Sequence, residues 1–375
     1  MLETAKHSLL QSLLAFQADM LSLVPGFIFA MSLPLLRESP ELIVLYPVFL
    51  SIRGALGGLL SGKLSTALNV GWATPSFRRN TEYFWALLAS QAPLSLIAAL
   101  LFSAIALMMG GNPQDMLLFT ISLSSLCTLT IPLLNSVVAF LSFRAGLNPD
   151  FVLYPVMSSV ADLLVTAFFM MLTGCLLSGT IAPLYILSLM LVVLTITSII
   201  VFWEEEAYGS TVVQGATSIL LVSAIVTLTG LGLKDFVGSA PRTMVSSYTA
   251  FIDLLGDASG IVGSLATTRL AIGGIEAFRG EYEDVIGELV GVAVAYELMM
   301  ILFTVISGLF VGEFMIIIIL RAVRASLLAL ALGVTISILV ALVSFNAGLD
   351  PDVYVIPLES CLSDLVMTYS LLLAG

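Results

Sequence analysis

Two stretches of the sequence each place one aspartate between two hydroxyl side chains, at intervals of four residues. The two sets are Ser158, Asp162 and Thr166, and Ser360, Asp364 and Thr368. Because residues four positions apart lie on one face of an α-helix, each set predicts a stripe of oxygen atoms carrying one negative charge. Such a stripe suits a hard cation, since Mg²⁺ takes oxygen ligands and is often held through its water shell by carboxylates.

Each of these aspartates lies deep inside an apolar segment. Asp162 follows Asp150, and Asp364 follows Asp352, by about twelve residues, which is roughly 18 Å of helix. A charge near the centre of a bilayer costs roughly 2.5–3.5 kcal/mol, so such a residue usually lines a polar cavity. We therefore predict that the two aspartates together hold one divalent cation, with the four hydroxyl groups contacting its water shell. The alternative is that each aspartate only bonds to a neighbouring helix.

Three further acids, Glu359, Asp257 and Asp253, have no acidic counterpart in the first half of the chain. We align them with Met157, Ser51 and Pro47. They predict an asymmetric site for a second ion or a proton. The alternative is that they are exposed or paired acids at the end of a membrane span.

The composition requires a membrane setting for these residues. Hydrophobic residues make up 59% of the 375 positions and charged residues only 10%, with a mean hydropathy of +1.12. A soluble domain has roughly a quarter of its residues charged, so this chain could not cover a water-facing surface. The net charge of −12 argues against a nucleic-acid partner. The expected partners are lipid and a cation, and we expect no cleaved signal peptide.

Apolar runs long enough to cross a bilayer recur along the whole chain. The alternating stretches of about ten residues that form membrane β-barrels are missing, so the predicted fold class is an all-α polytopic membrane protein. We predict eleven spans, at residues 8–35, 42–71, 82–109, 115–143, 151–177, 181–203, 211–236, 244–276, 284–311, 314–345 and 351–374.

An internal repeat organises these spans. Residues 142–166 and 344–368 are identical at about half of their 25 aligned positions without a gap, and a weaker match joins residues 53–57 to 259–263. The predicted domains are a first five-helix repeat (1–177), a connecting helix and loop (178–210), and a second five-helix repeat (211–375). Because the connector is a sixth crossing, the repeats are expected to be parallel, in a 5+1+5 arrangement.

The distribution of basic residues predicts the orientation. An N-terminus in the cytoplasm and a C-terminus outside would put most of the Lys and Arg side chains near the inner surface, as the positive-inside rule requires. Arg53, Arg321 and Arg324 do not follow this rule. We expect them within or near the outer ends of spans.

The repeated segments also resemble a known family. GLNPDFVLYPVMSSVADLL and GLDPDVYVIPLESCLSDLV are similar to the last membrane helix of MgtE magnesium transporters. The duplicated 5+1+5 layout resembles the solute carrier family 41 magnesium transporters. This resemblance implies magnesium translocation through a pore between two five-helix modules, with the family's pore aspartate at Asp162 and Asp364. It also implies that one chain can work alone, without the cytosolic regulatory domains of bacterial MgtE.

The sequence thus predicts a transporter or channel for a divalent cation, with Mg²⁺ as the first choice and Na⁺ or H⁺ as possible coupling ions. Two alternatives stay open at this point. One is a secondary transporter for an organic solute, which would favour a larger, aromatic-lined cavity. The other is an intramembrane enzyme with paired aspartates, although no further catalytic residues accompany them and we expect no enzymatic activity.

Overall fold

The computed structural model describes residues 2–145, 149–280, 282–313, 315–347 and 356–375, and side chains within these ranges except for 149–156, 267–280, 282, 344–347 and 356–357. Within this part of the chain the secondary structure is helical and contains no strand. Lipid offers no hydrogen bonds to a polypeptide backbone, so a membrane-spanning segment must satisfy its own, as a helix does. The predicted all-α class is confirmed.

The described helices are α1 (Leu2–Ala15), a 3-10 helix (Ala18–Ser22), α2 (Leu23–Leu36), α3 (Pro40–Val70), α4 (Glu82–Ala89), α5 (Gln91–Met108), α6 (Pro113–Arg144), α7 (Pro149–Leu177), α8 (Ala182–Phe202), α9 (Glu206–Ser239), α10 (Arg242–Ser246), α11 (Tyr248–Gly280), α12 (Tyr282–Val311), α13 (Ile316–Ala347) and α14 (Ile356–Ala374). Local sequence explains several of their ends. The Asn112 side chain accepts hydrogen bonds from the first backbone N–H groups of α6, as an N-cap residue does. Gly71 and Gly312, with φ of 81° and 76°, end α3 and α12 in the left-handed conformation.

Ten stretches of the described residues are long and apolar enough to cross a membrane. They include the weakest predicted span, the eighth, which appears as Tyr248–Ala266 with a mean hydropathy of 1.2. The last predicted span, 351–374, contains α14, whose 19 residues extend over about 28 Å, and its first five residues lie outside the described part of the chain. The chain is therefore a multi-pass membrane protein.

The helices form two compact units. Unit 2 comprises Ser32–Gly230. Within it α3 packs against α5, α6 and α7, while α6 also packs against α8. Phe169 of α7 makes edge-on contacts with Tyr46 of α3 and Phe119 of α6, with ring centroids 5.5 and 5.0 Å apart. These aromatic contacts hold α7 against α3, the helix pair that carries the first candidate site.

Unit 1 comprises Met1–Met31 together with Leu231–Gly375. Within it α11 packs against α12, α13, α14 and the 3-10 helix, and α1 packs along α12. Thr4 of α1 donates a hydrogen bond to Asp284 of α12 (2.8 Å). At Gly291 a Cβ atom would come within 2.5 Å of the Ala5 carbonyl oxygen, so the close approach of α1 to α12 depends on glycine. The start of the chain thus packs with helices of the second repeat, which the order of spans did not predict.

Matching contacts within the two units define the register of the repeat. In unit 2 the Tyr46 hydroxyl bonds to the Thr166 hydroxyl (2.9 Å). In unit 1 the Tyr248 hydroxyl bonds to the Thr368 hydroxyl (2.8 Å). Both partners are displaced by the same 202 positions, from 46 to 248 and from 166 to 368. The helix pair α3–α7 and the pair α11–α14 are therefore built alike.

A second contact gives the same register. The Asn135 side chain donates to the Gly57 carbonyl (3.5 Å) in unit 2, and the Ser337 hydroxyl donates to the Ser259 carbonyl (2.7 Å) in unit 1. The weak sequence match of residues 53–57 to 259–263 was therefore wrong by one helical turn.

This correction changes the counterparts of two candidate acids. In the structural register Asp253 corresponds to Ser51 and Asp257 to Ala55, whereas the sequence alignment had assigned them to Pro47 and Ser51. Glu359 still corresponds to Met157. The expectation that all three acids lack an acidic counterpart holds in either register.

Candidate functional site

The first candidate carboxylate, Asp162, lies on the face of α7 that packs against α3. Its side chain is 0% exposed, and the Asp162 Oδ1 atom forms an ion pair with Nη2 of Arg53 from α3. Arg53 lies about two helical turns after Tyr46 on α3, whereas Asp162 lies about one turn before Thr166 on α7. The two helices therefore run antiparallel. A buried charge requires a partner of opposite sign or a set of hydrogen bonds, and here a guanidinium group supplies the charge.

The sequence reasoning expected Arg53 within or near the outer end of a span and did not select it as the partner of Asp162. It lies in the interior of α3, with its side chain 12% exposed. The signal was present in the sequence, since a basic residue inside an apolar run needs a polar partner at the same depth. The sequence did not show that α3 packs against α7, and this packing is what makes Asp162 the partner of Arg53.

The second candidate carboxylate, Asp364, lies on α14 of unit 1 and is 7% exposed. The hydroxyl of Thr368 donates to the Asp364 backbone carbonyl (2.7 Å). In the structural register Leu255 stands where unit 2 has Arg53. The two aspartates thus occupy equivalent and buried positions, but the arginine that pairs with Asp162 is replaced by leucine at position 255.

The hydroxyl groups of the two predicted stripes fall into two classes. Thr166 and Thr368 are wholly buried and bonded to Tyr46 and Tyr248, so they join helices within each unit. Ser158 and Ser360 are half-buried. Contact of any of the four with the water shell of an ion stays a prediction. Pro149 and Asp150 have side chains outside the described part, and Pro351 and Asp352 lie outside it altogether.

Asp257 and Asp253 of α11 lie in an acidic cluster that includes a residue the sequence reasoning had not selected. Asp257 has two acidic neighbours, Asp253 one turn away on α11 and Asp19 of the 3-10 helix. Asp19 is buried although it belongs to the break between α1 and α2.

Glu359 lies at the start of α14 and bonds to the Ser337 hydroxyl of α13. The same hydroxyl lies 2.7 Å from the Ser259 carbonyl of α11, so the three helices meet at this group. A Cβ atom at Gly263 would collide with Ser337 Oγ at 2.6 Å, and therefore a side chain there would displace the contact. Glu359 is thus a half-buried acid within a network of helix contacts.

The described side chains form no group of three or more His, Cys, Asp or Glu that could hold a metal ion.

Comparison with known proteins gives one match. A family model described as "MgtE: Divalent cation transporter" matches residues 46–172 and again residues 248–374. The two matches are displaced by the same 202 positions as the tyrosine–threonine contacts, and together they cover more than half of the chain. Searches of the curated proteins and of the solved structures gave no significant match.

Proposed function

Since the chain belongs to the MgtE family of divalent cation transporters, we propose that the ion it moves across the membrane is Mg²⁺. The family consists of transporters and not enzymes, which removes the paired-aspartate enzyme from the alternatives. The match also favours a divalent cation over an organic solute. The proposal for Mg²⁺ itself rests on one observation, the occurrence of Asp162 and Asp364 at equivalent buried positions on α7 and α14.

The chemistry of the site supports Mg²⁺ among divalent cations. Two carboxylates offset the charge of one divalent ion, and Mg²⁺ gives up its water reluctantly, so it needs few direct protein ligands. We propose that the ion meets Asp162 and Asp364 in a largely hydrated form. Ser158 and Ser360 are the hydroxyl groups best placed to contact its water shell, since Thr166 and Thr368 are already bonded to tyrosines.

We propose the predicted orientation for the membrane-embedded chain, with the N-terminus cytoplasmic and the C-terminus outside. The support is the excess of basic residues on one predicted side. We also keep the division into two repeats, 1–177 and 211–375, joined by the connector 178–210. The family matches at 46–172 and 248–374 lie within these repeats.

A coupled carrier needs a second ion site, and we propose the acids of unit 1 for this role. Asp257 lies near two other acids, Asp253 and Asp19, and a proton or a bound cation would offset the repulsion of their carboxylates. Glu359 is a further candidate, because its carboxyl group lies among three helices rather than in solvent. The coupling ion would be H⁺ or Na⁺.

The proposed ion and its site are tested by Mg²⁺ flux in proteoliposomes. We expect Mg²⁺ uptake by the unmodified chain and its loss, by about a hundredfold or more, in the double variant Asp162→Asn/Asp364→Asn, because removing two buried charges removes interactions of several kcal/mol. Glu206→Gln at the start of α9 is a matched control for the loss of acidic charge, and it should leave flux unchanged. An imposed proton or sodium gradient in the same assay tests coupling.

Unchanged Mg²⁺ flux in the double variant would reject the two aspartates as the site. Absence of Mg²⁺ flux in the unmodified chain, with transport of another divalent cation such as Mn²⁺, would reject Mg²⁺ as the ion. A thermal shift on adding Mg²⁺ in detergent gives an independent measure of binding, since a ligand that binds only the folded state stabilises it.

A further inference from the structure

The ion pair within unit 2 already supplies Asp162 with a cation. Arg53 contributes a guanidinium group that is permanently charged, and the pair forms directly between Nη2 and Oδ1. An ion that binds to Asp162 therefore has to compete with a side chain of the same unit. This consideration rests on the function proposed above, in which Asp162 meets the transported cation.

The arginine is not needed to assemble this pair of helices. Unit 1 builds the equivalent pair, α11 and α14, with the same tyrosine–threonine contact and with Leu255 in place of Arg53. The tyrosine–threonine distances agree within 0.1 Å, at 2.9 and 2.8 Å. Helix docking accordingly does not explain why unit 2 places an arginine inside α3, where an unpaired charge is costly.

Arg53 also borders a cavity whose lining is mostly apolar but includes amide and hydroxyl groups. The residue lines a cavity of about 50 Å³ between α3, α5 and α6 of unit 2, together with Gln91, Ser95 and Thr128. Gln91 is only 3% exposed, and its Nε2 atom has no hydrogen-bond partner among the described residues. This volume is large enough to hold water beside the guanidinium group. The amide and hydroxyl oxygens of its wall are acceptors for the donors of such a group.

We propose that Arg53 is a tethered cation that competes with the transported ion for Asp162 and moves toward the adjacent cavity when the ion arrives. Arg53 is thus a residue that sets the affinity of the transporter for its ion. Only the fraction of molecules in which Asp162 is released can bind the ion there, so the apparent dissociation constant is the intrinsic one divided by that fraction. The pairing raises the ion concentration needed for transport.

A graded series at position 53 tests the proposal. The concentration of Mg²⁺ that gives half-maximal flux in proteoliposomes is expected to fall about tenfold in Arg53→Gln, because the binding-competent fraction rises toward one. In Arg53→Lys we expect a smaller fall, about threefold, since an ammonium group lacks the planar fork that pairs with a carboxylate. Arg37→Gln, at the exposed end of α2, removes a positive charge elsewhere and is expected to leave the value unchanged.

The outcomes separate this proposal from the function on which it rests. If the unmodified chain transports Mg²⁺ but neither position-53 variant lowers the half-maximal concentration, the tethered cation is rejected and the function stands. If the unmodified chain neither binds nor transports Mg²⁺, the function itself fails. If Arg53→Gln does not fold, Arg53→Lys decides alone, because it keeps a positive charge beside Asp162. A half-maximal concentration that is unchanged or raised in the folded lysine variant overturns the proposal.

Discussion

The helix pair α3–α7 of unit 2 and the helix pair α11–α14 of unit 1 have the same contacts and different charges. Each pair joins a tyrosine to a threonine and buries an aspartate one turn away. In unit 2 the aspartate is paired with Arg53, whereas unit 1 has Leu255 at that position. Unit 1 instead carries additional acids on α11 and at the start of α14.

The comparison separates the contacts that pack the helices from the charged side chains proposed to act on the ion. The neutral tyrosine–threonine contacts are present in both units, so they belong to helix docking. The charged groups differ between the units, and we therefore assign the proposed binding, competition and coupling to them. Duplication of a helix pair thus preserved packing while the electrostatics of the two copies diverged.

The largest expected effect concerns stability, and it tests the ion pair that distinguishes α3 from α11. Asp162→Asn leaves Arg53 without its carboxylate, and removing one partner of a buried ion pair costs about 3–5 kcal/mol. The double variant Asp162→Asn/Arg53→Leu leaves no guanidinium group behind and reproduces the leucine of position 255, so we expect a much smaller loss. Thermal unfolding in detergent without divalent cations measures both. Equal melting temperatures for the two variants would contradict a stabilising pair between Arg53 and Asp162.

A second prediction transfers the tethered cation to the other unit. Leu255→Arg places an arginine at the position equivalent to Arg53, where it is expected to compete with the ion for Asp364. The half-maximal Mg²⁺ concentration should rise about tenfold, the mirror image of the Arg53→Gln result. Leu255→Met conserves volume without charge and is the matched control. A folded Leu255→Arg protein with an unchanged half-maximal concentration would show that the two aspartates are not functionally equivalent.

The smallest expected effect concerns the shared part of the scaffold. Tyr46→Phe and Tyr248→Phe each remove one buried hydrogen bond, to Thr166 or Thr368, and each should cost about 1 kcal/mol. Because the contacts are equivalent, the two losses should be similar, and the half-maximal Mg²⁺ concentration should not change. Denaturation and flux measurements on both variants check this. A flux defect in only one of them would mean that its tyrosine contributes to the ion site.

Much of the candidate site was accessible from the sequence because the chain contains two copies of it. The repeat identified Asp162 and Asp364, and apolar length identified the spans that carry them. The partner Arg53 and the buried Asp19 were missed, since each depends on a helix that lies far away along the chain. The register of α3 against α11 was also wrong by one turn, because small residues recur every few positions there and alignment without a contact cannot separate neighbouring turns.

The amino-acid sequence by itself determined the membrane class, the helical spans, the duplication and the two buried aspartates, since hydropathy and helical spacing act along the chain. Only the tertiary structure decided which helices pack together. It joined Arg53 to Asp162, and it gathered Met1–Met31 with Leu231–Gly375 in one compact unit. The physical reason is that side-chain pairing and close packing depend on distances between segments remote in sequence, which neither composition nor spacing contains.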